Sequence, residues 1–322
     1  MLLEKIQQNA SLLAKHPAYR CGEDSLTYSQ LWNAASLLAA QLQDGAGAVA
    51  LIGTKQPMMA VGMLGSLLAG RPYLPLSSDQ PKERLQRILS QANPGTVIDC
   101  REAKAEQWLK REPATQNFLI PGDPSRDAYW LFTSGSSGSP KGVRISLAAL
   151  ENFVRWFCAL PAIRSRKKPG AALNQAQFSF DLSVADLWPA WMMGETVFAL
   201  EPSQQADLDK LYRALGESGA TRMSCTPSFA RLCLCDKSFQ RELMPALQTV
   251  FFCGETLPAR TVRQLRQRFP DVTVLNAYGP TEATCAVCAV EVTGAGEPLP
   301  VGQLEVGDQA VLGRQGSLTT PW

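Results

Sequence analysis

The sequence predicts a layered α/β protein of two lobes followed by the start of a β-rich third part, and three observations carry that prediction. Short apolar strand patterns alternate with helical ones over residues 29–98, and a second alternation runs from near Ser146. The chain has 322 residues, more than the roughly 250 at which a single core tends to split. The expected division is 1–146, 147–290 and 291–322.

The first helix is expected over Ser29–Leu42, where Leu31, Ala34, Ala35, Leu38 and Leu42 fall on one face and Ser29 supplies a cap. Ala48–Ile52 reads as a short buried strand, Met58–Ala69 as a buried helix, Tyr73–Leu76 as a strand and Pro81–Gln91 as a polar-faced helix with Pro in its first turn. Thr96–Ile98 is a third strand, and Arg111–Arg126 has linker composition. Ala128–Thr133 is a strand ending in a small-residue loop. The second pass contains helices at Ser183–Met193, Ala206–Ser218 and Arg260–Phe269, with strands at Thr221–Cys225, Thr249–Cys253 and Thr273–Leu275. Beyond Val290 the pattern weakens into Gly, Pro and short apolar alternation, as at the opening of a small β unit.

Composition excludes several classes. The charge is +2, from 31 Lys plus Arg against 29 Asp plus Glu, so no global field draws the chain to nucleic acid or to an anionic membrane. The longest apolar tract, Met58–Ala69, falls far short of the roughly 20 residues a membrane span needs. No export signal is evident, so a cytoplasmic location is expected, and the nine cysteines read as reduced thiols. Cys233-Leu-Cys235 and Cys285-x-x-Cys288 each offer half a metal site, but the chain holds one His and no second pair at a suitable spacing.

The strand at Trp130-Leu131-Phe132 runs into Thr133-Ser134-Gly135-Ser136-Ser137-Gly138-Ser139-Pro140-Lys141-Gly142. Backbone N–H groups freed by glycine, several hydroxyls and one ammonium can together surround a polyphosphate. A flexible linker is the alternative, although linkers rarely follow a buried strand directly. A P-loop of the Walker type needs Gly before its Lys and Ser or Thr after it, and Pro140 and Gly142 stand there instead.

The stretch Thr133–Gly142 resembles the phosphate loop of the adenylate-forming superfamily, which includes acyl-CoA synthetases, luciferases and the adenylation domains of nonribosomal peptide synthetases. Three further stretches agree in the family's order: Leu68–Leu76 with Pro81–Arg84, Phe178–Ser183 and Asn276–Thr284. Within the superfamily, Asn174–Val184, Thr226–Ala230 and Phe251–Pro258 look most like the D-alanine:D-alanyl carrier protein ligase family. That family converts D-alanine to an adenylate and passes it to the phosphopantetheine thiol of an acyl or peptidyl carrier protein.

The resemblance implies the α/β core of that superfamily and a nucleotide site made of Thr133, Ser134, Gly135, Ser136, Ser137, Gly138, Lys141, Asn276, Ala277, Tyr278, Gly279 and Thr281. Ser134, Ser136, Ser137 and Lys141 would surround the β and γ phosphates, Tyr278 would stack on adenine, and Thr281 would contact the α phosphate. Glu282 would help hold magnesium, and Lys141, Thr281 and Glu282 would carry the chemistry. Asp181, Leu182, Cys253 and Cys285 would line the amino-acid pocket, with Asp181 on the substrate ammonium and Cys253 beside its α carbon. ATP and amino acid would meet at strand ends between the two lobes.

Each assignment has a plainer alternative: helix capping for Asp181, a small buried hydrophobe for Cys253 and a surface turn for Glu282. Cys285 departs from the branched aliphatic residue usual in the resembling family, which leaves glycine, serine or L-alanine open as substrates. A synthetase adenylation domain for another small amino acid and an inert nucleotide-binding fragment remain rival readings. The family carries a ribose-binding Tyr-x-Thr-Gly-Asp motif, a hinge and a small C-terminal domain with a lysine, none of which is found by Trp322. The chain as given is therefore expected to lack full activity.

Overall fold

A computed structural model describes residues 2–101, 123–134, 139–164, 170–294 and 298–302. They fall into two compact units that divide between Asn152 and Phe153, with Gln177–Phe180 belonging to the first. Both are mixed α/β, as the sequence predicts.

In the first unit, α1 (Leu2–Leu12) precedes an antiparallel hairpin of β1 (Pro17–Cys21) and β2 (Asp24–Thr27). Helix α2 (Tyr28–Leu42) starts one residue before the predicted position because Thr27, not Ser29, is its cap. Gln30 N donates to Thr27 Oγ1 at 3.2 Å and Thr27 N to Gln30 Oε1 at 2.9 Å, a reciprocal pair that satisfies two otherwise orphaned N–H groups. The five-stranded sheet runs β5–β3–β4–β6–β7, from β3 (Val49–Gly53), β4 (Tyr73–Ser77), β5 (Thr96–Asp99), β6 (Asp127–Ser134) and β7 (Pro140–Ser146). All neighbours are parallel except β6 and β7. Helix α3 (Pro57–Leu68) is buried on every side, and Gly65 lets α2 approach, since a Cβ there would lie 3.0 Å from the Ala35 carbonyl. Helix α4 (Lys82–Ala92) closes the core of Ile52, Leu74, Leu76, Ile88, Trp130 and Phe132.

The resembling stretch Leu68–Leu76 is scaffold: Arg71 donates to the carbonyls of Ala46 at 2.8 Å and Gly47 at 2.9 Å, tying the exit of α2 to the start of β4.

The chain leaves this unit within α5 (Leu147–Ala159), which α6 (Pro161–Arg164) follows. The strands of the second unit run β13–β12–β11–β10–β8–β9, from β8 (Ala171–Asn174), β9 (Thr196–Ala199), β10 (Ala220–Cys225), β11 (Thr249–Phe252), β12 (Thr273–Tyr278) and β13 (Cys288–Glu291). Only β13 is antiparallel to its neighbour, so the inner strands are near-continuous apolar runs such as Thr249-Val-Phe-Phe252. The helices are α7 (Leu182–Met193), α8 (Pro202–Gln205), α9 (Leu208–Glu217), α10 (Pro227–Leu234) and α11 (Ala259–Arg268). The helix expected over Ala206–Ser218 is α9, which starts two residues later because Asp207 caps it, accepting from Asp209 N and Lys210 N.

Candidate active site

The two ends of the phosphate-loop sequence lie on paired antiparallel strands. Strands β6 and β7 pair through Trp130↔Arg144, Phe132↔Gly142, Thr133↔Lys141 and Ser134↔Pro140. The base is pinned by Asp127, which accepts from Trp130 Nε1 at 2.8 Å and from Arg144, whose guanidinium lies 5.3 Å from the Trp130 ring. Pro140-Lys-Gly, read in the sequence as the end of a loop, belongs to β7. Opposed residues of a ladder share a face, so Thr133 and Lys141 point to the same side, with Lys141 exposed. Gly135, Ser136, Ser137 and Gly138 lie outside the described residues.

In the second unit the other expected residues gather at the end of β12. Asn276 is buried and its Nδ2 donates to the Pro300 carbonyl at 2.8 Å; Ala277 is buried, whereas Tyr278 is 60% exposed and leaves an aromatic face open to solvent. The Tyr278 carbonyl accepts from Val287 N at 2.9 Å, closing a loop over Gly279. Only glycine fits there, because a Cβ would lie 2.4 Å from Ala286 Cα. A short 3₁₀ turn, Thr281–Ala283, follows Pro280, and Thr284 and Cys285 then take φ of 62° and 74°. Two successive non-glycine residues in the left-handed region cost about 1–3 kcal/mol each, a strain that clusters at functional sites. Their reversal brings Cys285 against Cys253, whose Sγ–H donates to the Cys285 carbonyl at 3.5 Å.

Asp181 and Leu182 open α7. Asp181 occupies the N-cap position but makes no capping hydrogen bond. Its Oδ2 instead accepts the Thr281 hydroxyl at 2.6 Å. Burial pushes the Asp181 carboxyl above the usual range, the Thr281 hydrogen bond opposes the rise, and the negative charge of Glu282 adds to it. Contact with Cys253, complete burial and the Asp181 charge hold the Cys285 thiol far above the ordinary thiol range, so it is no nucleophile. Asp181, Thr281, Glu282, Cys253 and Cys285 are thus one locus of two carboxylates beside two buried thiols.

Two features escaped the sequence reading. Glu255 Oε2 accepts from Ser228 N at 3.0 Å and Ser228 Oγ at 2.6 Å, joining the Thr226–Ala230 and Phe251–Pro258 stretches; the spacing of either alone gives no sign of it. Arg222 of β10 is almost wholly buried and contacts Glu195 and Asp186, an ion pair hidden inside an apolar strand pattern.

The family model described as AMP-binding enzyme matches residues 6–318. The chain belongs to the AMP-binding enzyme family. The D-alanine--D-alanyl carrier protein ligase of Bacillus licheniformis is 37% identical over 310 residues, covering 91% of this chain and 61% of the relative. The ligase of the same name from Listeria monocytogenes is 35% identical over 329 residues, covering 94% and 64%. The chain thus spans less than two thirds of the length of these curated relatives. Among solved structures, the nonribosomal peptide synthetase FmoA3 superposes with TM-score 0.82 at 21% identity, over 94% of this chain and 34% of that one. The Klebsiella oxytoca NpsA N-terminal subdomain in complex with 3-hydroxyanthranilyl-AMSN gives 0.77 at 21% identity, over 91% and 76%. Both likenesses establish the fold.

The donors present are of kinds that a nucleotide with magnesium would take. Tyr278 offers a flat exposed surface, and Glu282 with the Thr281 hydroxyl offers hard oxygen donors of the kind magnesium takes beside phosphate. Among the described residues no group of three or more His, Cys, Asp or Glu gathers as a cage for a metal, and Cys285 and Cys288 enter different contacts. Nor is any helix among them long and apolar enough to cross a membrane.

Proposed function

We propose that this protein activates D-alanine as its adenylate at the expense of ATP and passes it to the phosphopantetheine thiol of a carrier protein. The observation that carries the reading is Asp181: a half-buried carboxylate with raised proton affinity and no side-chain capping bond, gathered with Thr281, Cys253 and Cys285 in one locus. Such a carboxylate favours a cationic partner, and the ammonium of an amino acid is one. The names of the relatives point to the same substrate.

In this reading Leu182 helps line the amino-acid pocket, and Asn276, Ala277 and Gly279 shape the backbone that presents Tyr278 to adenine. Ser134, Ser136, Ser137 and Lys141 hold the β and γ phosphates, with Thr133, Gly135 and Gly138 forming the rest of the loop. Glu282 would help hold magnesium, which when bound would lower the negative charge that repels the incoming carboxylate. Thr281 has a single hydroxyl proton, now given to Asp181. A substrate ammonium arriving at Asp181 frees that proton for the α phosphate, so amino acid and nucleotide assist each other's binding. Buried Cys253 crowds one side of the α carbon and favours the D enantiomer. The nine free cysteines and the use of ATP fit a cytoplasmic enzyme.

ATP–pyrophosphate exchange by the uninterrupted gene product tests the reading. D-Alanine should support more exchange than L-alanine or glycine, and equal exchange with an aromatic or fatty acid would refute it. A second reading, a synthetase adenylation domain for another small amino acid, is favoured by Cys285, which is smaller than a branched aliphatic residue; better exchange with serine would select it.

A further inference from the structure

Pro189 lies in the middle of α7, whose residues Leu182–Trp191 are all buried. Proline has no N–H, so the Ala185 carbonyl four positions earlier loses its intrahelical donor, and a buried carbonyl left without one is costly. Arg222 supplies the replacement: its Nη1 donates to the Ala185 carbonyl at 3.0 Å and its Nη2 to the Asp186 carbonyl at 3.0 Å. The same guanidinium donates from Nε to Glu195 Oε2 at 2.9 Å, just past Gly194 where α7 ends, and lies 3.5 Å from Asp186 Oδ1. Asn174, at the end of β8, donates to Asp186 Oδ2 at 3.3 Å.

An ion pair with Glu195 would neutralise the arginine by itself. Two of its N–H groups go instead to main-chain carbonyls one turn beyond Asp181, at the point where Pro189 leaves the helix free to bend. Lysine, with one nitrogen, could not reach both carbonyls and Glu195 together.

We infer that Arg222 is a positioning residue for Asp181: it replaces the hydrogen bond that Pro189 removes and so fixes the first turn of α7. The inference rests on the reading of Asp181 as the partner of the substrate ammonium. It predicts that helix order and amino-acid recognition depend on Arg222 while nucleotide recognition does not.

The test compares the wild type, Arg222→Lys, Pro189→Ala and the double variant by calorimetric titration with ATP and with a non-hydrolysable D-alanyl-AMP analogue, and by amide hydrogen exchange of Leu182–Ala185. Arg222→Lys should weaken the analogue by about 10- to 100-fold, the scale expected when a site shifts by about 1 Å, and ATP by less than about 2-fold. Exchange at Leu182–Ala185 should quicken, and adding Pro189→Ala, which restores the helical N–H, should recover both. Equal losses for the two ligands, unchanged binding, or no recovery in the double variant would overturn the inference. Should Arg222→Lys fail to fold, a folded double variant supports the inference and an unfolded one contradicts it. If the wild type prefers an L-alanyl analogue, the D-alanine reading fails, whereas the hydrogen-exchange pattern still decides the role of Arg222.

Discussion

The Thr281 hydroxyl donates to Asp181 Oδ2 at 2.6 Å, joining residues 100 positions apart. The bond gives a half-buried carboxylate its neutral partner before any ammonium arrives. Thr281→Val should therefore weaken the mutual assistance between D-alanine and ATP. Titrating each ligand with and without the other should show a coupling of several-fold in the wild type, within the usual range of about 1–3 kcal/mol, and little in the variant.

Asp181→Asn should raise stability while removing amino-acid recognition. The raised carboxyl of Asp181 means that the folded state binds this proton more tightly than the unfolded chain does. Its contribution is then fully present below the ordinary carboxylate range and is lost as pH rises through the folded value. The gain in Tm on substitution should be larger at pH 8 than at pH 4. An unchanged or lowered Tm at pH 8 would contradict the electrostatic account.

How much of this was legible in the sequence follows the range of each interaction. Short-range signals sufficed for α3, α4 and the inner strands, where apolar runs and Pro81 mark the elements directly. Strand β7 was missed because Pro140-Lys-Gly carries turn residues, and only pairing with β6 makes it a strand. The cap at Thr27 was misread by two residues because Ser29 is an equally suitable hydroxyl. The resemblance groups Asp181, Cys253 and Cys285 in one pocket, yet no local preference announces the reversal at Thr284 and Cys285 or the Thr281 hydrogen bond to Asp181. Arg222 was invisible because its partner is a carbonyl orphaned by a proline in another element.

Cys253→Ala should relax the enantiomer preference and leave ATP binding intact. Pocket differences of about a methyl group are worth about 1–3 kcal/mol, so the D/L ratio should fall by roughly 10- to 200-fold at most. An unchanged ratio in a folded variant would make Cys253 a packing residue only.

Glu282→Ala should lower magnesium-dependent exchange by about 10²–10³ while the fold is kept, the usual loss for one preorganised electrostatic contact. It also removes a negative neighbour of Asp181, so the acidic limb of the pH profile for amino-acid binding should move to lower pH. Retention of the full rate at saturating magnesium would return Glu282 to a surface turn.

The central claim is that Asp181 recognises the ammonium of the substrate, and the sharpest measurement compares D-alanine with D-lactate, which replaces the ammonium by a hydroxyl. In ATP–pyrophosphate exchange the wild type should prefer D-alanine strongly. Asp181→Asn should collapse that ratio, since removing one partner of a buried charge pair costs about 2–5 kcal/mol. A D-alanine to D-lactate ratio that stays the same in the two proteins would contradict the account.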